Sequence, residues 1–178
     1  MSASAFQEPV HDGKTETRVV LTPPSHHEIV IARVLEAPRE VVFRAWTDPR
    51  QLAQWWGPHG FVCADSHVDL RAGGHFRLDM QGPDGVAYPC EGIYHEITPP
   101  ERIVLGGMLD DRDACGCGIP PNGRVTITFV ELAERLTRLT ITARLPSREA
   151  CDIVVQHGFG LGWSQALERL DARLAQAA

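Results

Sequence analysis

Lysine is nearly missing from this chain. Of 17 basic residues, Lys14 is the single lysine and the others are arginines. Acidic residues number 23, giving a formal net charge of −6 and a pI near 5.7. No basic stripe able to displace phosphate counterions is visible, which argues against nucleic acid as a partner. Long hydrophobic runs are missing too. Nothing approaches the roughly 18 apolar residues of a membrane helix, so membrane insertion is not expected. Met1 to Lys14 lacks the basic-then-apolar order of a signal peptide. Five cysteines, an odd number without an export signal, read as reduced thiols. The expectation is a cytoplasmic protein, and arginine in place of lysine with abundant Ala, Gly and Pro points to a GC-rich bacterial source.

Catalytic spacings are equally sparse. There is no CxxC pair, HExxH or HxxxH for a metal, no GxSxG nucleophile turn and no kinase or phosphate-loop pattern. Gly158-Phe159-Gly160-Leu161-Gly162 lacks the spacing and the following Lys and Ser/Thr that a phosphate loop needs. Neither cofactor nor metal is expected.

What is present is a 178-residue chain, 43% hydrophobic, enough for one globular domain with a sizeable interior. Residues 1–25 are polar and carry Pro9, Pro23 and Pro24. They read as a mobile tail in which Arg18–Leu21 can add a short edge strand. Residues 26–178 read as one domain. His27–Leu35 is rich in β-branched residues and forms the first strand. Pro38 opens a helix to about Trp46. Asp48-Pro49 caps a second one that carries Leu52, Trp55 and Trp56 and stops at Gly57-Pro58. From Val62 to Leu145 the texture is strands and turns: Val62–Leu70, His75–Met80, Tyr88–Ile97, Arg102–Leu109, Arg124–Leu132 and Leu136–Leu145. Phe76, Leu78 and Met80 alternate with His75, Arg77 and Asp79, as on a half-buried strand. Six strands with no helix between them argue for an antiparallel meander. Asp110–Gly123 is a long loop.

Ser147–Ala177 reads as one long helix capped by Ser147. Ile153, Gln156, Gly160, Trp163, Leu167, Leu170 and Leu174 form a single stripe at steps of three and four. Gly158, Gly160 and Gly162 crowd its centre, where each mid-helix glycine costs about 0.8–1 kcal/mol against alanine. Either the helix breaks there, or Gly160 leaves space above the sheet. The fold class is therefore α+β: a six- to seven-stranded antiparallel sheet wrapped around a long C-terminal helix, with two short helices after the first strand.

That order, with Glu36-Ala37-Pro38-Arg39-Glu40-Val41-Val42-Phe43-Arg44-Ala45-Trp46-Thr47-Asp48-Pro49, Leu52 to Gly60, Glu96 to Ile103 and Gly162-Trp163, resembles the SRPBCC (START/polyketide cyclase-like, helix-grip) superfamily. The resemblance is to its branch of homologues of the activator of heat shock protein 90 ATPase. It extends from about His26 to the C-terminus. In that branch, co-chaperone activity goes with a separate N-terminal chaperone-binding domain, for which residues 1–25 are too few, so chaperone activation is not expected.

The resemblance implies an apolar cavity between the sheet, the two short helices and the long helix. The residues it places there are Trp55, Phe76, Met80, Tyr94, Met108, Phe129, Gln156, Gly160 and Trp163, several of which an ordinary core would also bury. The register around Tyr94 and His95 stays open, because a one-residue slip exchanges them. The implied function is binding of a small hydrophobic molecule. An alternative is a cyclase- or hydrolase-type enzyme on an aromatic or polyketide-like substrate, with His157, His95, Glu91 or Arg77 recruited to the cavity. A third is an interaction module, as a homodimer through a sheet edge or a co-chaperone-like protein. Cys115-Gly116-Cys117 is a weak metal or redox signal.

Overall fold

The computed structural model describes residues 18–21, 27–107 and 122–176, with side chains from residue 27 onward. Met108, the Cys115-Gly116-Cys117 loop and most of the expected tail lie outside the described residues. In chain order the elements are β1 (Arg18–Leu21), β2 (Glu28–Leu35), α1 (Arg39–Thr47), α2 (Pro49–Trp55), β3 (Val62–Val68) and β4 (His75–Gln81). There follow β5 (Ala87–Thr98), β6 (Arg102–Gly107), β7 (Arg124–Ala133), β8 (Leu136–Arg144), α3 (Arg148–Gln156) and α4 (Phe159–Gln176). The strands make one sheet in the order β1-β2-β8-β7-β6-β5-β4-β3, and each neighbouring pair is antiparallel. β3 to β8 are the six strands of the expected meander, β2 pairs with β8 as the seventh strand, and β1 adds the short edge.

Sequence explains most of these boundaries. Asp48 accepts the amides of Arg50 (2.8 Å) and Gln51 (3.2 Å) while Pro49 takes the first helical position, so α2 begins where its cap dictates. Pro38 sits one residue ahead of α1, and its carbonyl receives the amides of Val41 and Val42. On β4, Phe76, Leu78 and Met80 are buried and His75 and Arg77 exposed, as alternation requires. Cross-strand register lines up Ile31, Ile141, Ile127 and Ile103 on four adjacent strands, and all four are essentially inaccessible. This row is the floor on which α4 lays Trp163, Ala166, Leu167 and Leu170, each fully buried.

Of the two alternatives that the glycines of the C-terminal segment leave open, the structure shows the break. Ser147 does cap the start of the segment, accepting the amide of Ala150 at 3.1 Å. But α3 stops at Gln156, and α4 begins at Phe159 after Gly158 has turned to φ +85°. That left-handed conformation is cheap only for glycine, and it redirects the chain. The stripe read through both segments therefore belongs to α4 alone. Ile153 is 48% exposed, and Gln156 faces solvent.

Candidate functional site

The helices and the concave sheet face bring four indoles into mutual contact. α1 carries Trp46 and α2 carries Trp55, while Trp56 is the first residue past α2, already extended at φ −62°, ψ 140°. α4 supplies Trp163. Trp46 and Trp163 lie nearly parallel with centroids 5.6 Å apart, and Trp56 meets Trp163 edge-on at 5.1 Å. Trp55 touches Trp46 at 4.9 Å and Trp56 at 5.3 Å. From the sheet, Phe76 approaches Trp56, and Tyr94 approaches Phe76. All six rings are buried.

Their polar atoms are treated unequally. The Trp55 indole N–H donates to the Ala45 carbonyl at 2.9 Å. Among the described residues, the buried indole nitrogens of Trp46, Trp56 and Trp163 have no hydrogen-bond partner. A buried donor without an acceptor costs about 1–3 kcal/mol, so three in one cluster is a substantial local penalty. Between these rings and the sheet lies a gap of about 10 Å³, lined by Trp46, Leu52, Trp56, Phe76, Leu78, Tyr94, Ile103 and Leu105. That is room for about one water-sized group. Burial pushes the Tyr94 phenol far above its ordinary pKa, so it stays neutral.

The wall carrying Leu52 and Trp56 is fastened to α4 through side chains. Arg169 Nη1 donates to three successive carbonyls, of Trp56 (3.1 Å), Gly57 (2.9 Å) and Pro58 (3.0 Å). A guanidinium at the C-terminal end of α2 also suits the helix dipole. Gln165 accepts the His59 amide, and Arg173 donates to Gln54. Gly57 is required at the clamp on two counts. Its φ is +97°, and a Cβ there would come within 2.9 Å of the Met80 sulfur.

Residues 36–175 match the family described as activator of Hsp90 ATPase homolog 1-like protein. The chain belongs to this family. A solved structure from Chromobacterium violaceum is 33% identical, covering 83% of this chain and 96% of its own, with a TM-score of 0.63. One from Mycobacterium smegmatis is 27% identical over 91% of this chain and 99% of its own, with a TM-score of 0.77. An HSP90 activator from Plasmodium falciparum is 24% identical over 84% and 96%, TM-score 0.58, a likeness of fold alone. No protein of curated function matches the chain.

Within this family member, the expected site residues separate into groups. Phe76 and Tyr94 line the gap. Trp55, Met80, Phe129 and Trp163 are buried but pack as core around it. Gly160 is half-buried in the first turn of α4, where its carbonyl receives the Ser164 hydroxyl at 2.8 Å, and it does not border the gap. Gln156 is displaced to the surface by the break at Gly158. Trp46, Leu52 and Trp56 were not among the expected residues. The missed signal is that Trp56 leaves the helical register: the chain turns extended there, so its ring swings inward beside that of Trp55. The register around Tyr94 is settled by a bulge between Tyr94 and Glu96. Tyr94 points inward, and His95 lies outside over Gly106, where any side chain would collide with the imidazole.

Groups for acid–base chemistry do not gather here. Arg77 is tied to Asp79 and Glu91 at 2.8 and 2.6 Å on the outer face, and His157 is exposed after α3. Among the described residues the gap lining has no histidine or carboxylate, and Tyr94 is its one ionisable group. No cluster of three metal-ligating side chains occurs among the described residues. Cys90 and Cys151 are buried. Cys63 is half-buried on edge strand β3, where its thiol donates to the Asp65 carbonyl at 3.0 Å and burial raises its pKa. No helix of the described residues is long and apolar enough to cross a membrane. A larger groove of about 670 Å³ lies between the end of α4 and the β7–β8 turn, bordered by Glu36, Arg135, Glu168 and Asp171. It is open to solvent, and its charged walls do not suit a hydrophobic ligand.

Proposed function

We propose that the chain binds a small hydrophobic molecule in the aromatic interior between the sheet, α2 and α4, and that the conformation described is the closed one. The observation that carries this reading is the set of three buried indole N–H groups without acceptors among the described residues, two of them on rings that line a residual gap. A core selected for stability alone would fill the same space with phenylalanine or leucine and avoid the penalty. The gap is too small for a ligand as it stands. Binding therefore requires its walls to part, and α2 is the wall held by helix contacts and side chains instead of a strand ladder.

The cyclase or hydrolase alternative needs a histidine or carboxylate within reach of the bound molecule, and the lining offers none among the described residues. Native mass spectrometry of the purified protein, followed by a denatured run on the same sample, tests the binding reading. The expected result is a copurifying organic mass that disappears on denaturation. A clean mass, with no uptake of neutral polycyclic aromatics added afterwards, overturns it.

A further inference from the structure

The unpaired donors also carry information about what the site takes. This step rests on the binding reading above and refines it. Trp46 and Trp56 border the gap, and Trp163 touches both rings. Their nitrogens are buried, each residue is at most 2% exposed, and none has a hydrogen-bond partner among the described residues. Indole N–H is a donor and never an acceptor. The cluster is thus rich in unpaired donors and flat rings, beside a gap whose lining is almost wholly apolar.

We propose that the indole N–H groups of Trp46, Trp56 and Trp163 are the polar contacts of the ligand site. The ligand they select is a neutral, planar, largely apolar molecule carrying a hydrogen-bond-accepting oxygen, such as a ketone, ester or ether. Three arguments define this class. The gap of about 10 Å³ has the size of one oxygen-bearing group, so the acceptor atom has a place before the walls part, while the apolar body does not. An anion would be buried without a counter-charge. Arg33, the buried cation of the interior, is already held by Asp171 at 2.7 Å, and an unpaired buried ion is strongly disfavoured. A cation would need free ring faces, as in an aromatic cage. Here Trp46 and Trp163 cover one another at an interplanar angle of 8°, and the N–H edges repel positive charge.

Fluorene and fluorenone separate these cases, because they share a flat tricyclic frame and differ by one carbonyl. Titration calorimetry of the full chain should show fluorenone binding about tenfold more tightly, the effect of one or more well-made hydrogen bonds. In a ¹H–¹⁵N spectrum, the indole signals of Trp46, Trp56 and Trp163 should move downfield with fluorenone and stay nearly unshifted in that direction with fluorene. The Trp55 signal, already bonded to Ala45, is the internal reference. Trp56→Phe and Trp163→Phe should assign two of the signals and lower the fluorenone preference. If those variants misfold, the shifts in the unaltered chain still decide. Equal binding of both probes without downfield shifts overturns the donor assignment but keeps an apolar interior site. Preference for phenyltrimethylammonium over fluorenone overturns it in favour of a cation cage. Binding of none of the three probes removes the underlying binding reading as well.

Discussion

Two flanks of one interior are built to different standards. On the β2–β8–β7 side, branched aliphatic residues sit in register across the ladder, and the buried polar side chains are engaged. Thr137 donates to the Ala37 carbonyl at 2.7 Å, and Arg33 reaches Asp171 on α4. On the α1–α2–β4 side, four tryptophans crowd together, and three of them bury a donor that nothing among the described residues accepts. Both flanks exclude water equally well. The difference is that the polar side chains of the first have partners within the fold, whereas three indole donors of the second have none among the described residues.

The largest expected effect breaks the complete flank. Ile141→Ala, at the centre of the isoleucine row, should cost about 3–5 kcal/mol through lost transfer energy and a cavity the ladder cannot close. Urea denaturation measures it, and a cost below 1 kcal/mol would show that the row is not the floor of the core. Next comes Asp171→Ala, which removes the carboxylate held at 2.7 Å by Arg33, a side chain only 7% exposed. About 3 kcal/mol is expected, and Asp171→Asn should recover part of it.

The aromatic flank is sharpened by a matched pair. Trp55→Phe and Trp56→Phe delete the same atoms, but only the first breaks a hydrogen bond and orphans the Ala45 carbonyl. Trp55→Phe should therefore be the more destabilising by about 1–3 kcal/mol. Equal losses would mean that the unpaired nitrogens carry no penalty. The mildest test is alkaline. Tyr94 has a raised pKa in the fold, so its contribution is intact below the unfolded value near 10 and falls as pH rises above it. The expected slope is about 1.4 kcal/mol per pH unit from this residue, and Tyr94→Phe should remove it from the pH–stability curve.

Local rules made the sheet and its capped helices readable before any coordinates. Asp48-Pro49, Ser147 and the alternation at Phe76, Leu78 and Met80 each state a backbone preference that tertiary packing did not override. What stayed hidden depends on backbone turns that no spacing encodes. Gly158 divided a stripe that looked continuous, and so Gln156 and Gly160 were misplaced. The bulge after Tyr94 decided which neighbour faces inward. The partner of the Trp55 nitrogen lies ten residues back across the α1–α2 corner, so sequence could name the indoles but not which of them would go unpaired.

Arg169 has a kinetic consequence. One guanidinium nitrogen holds three consecutive carbonyl oxygens, so rupture of a single bond frees nothing: the other two keep the segment in place and the first re-forms. Trp56, Gly57 and Pro58 leave α4 only when all three contacts fail in one event. Under the binding reading proposed above, exchange of a ligand beneath Trp56 is governed by release of this clamp, with a residence time that Arg169→Gln should shorten even where affinity hardly changes.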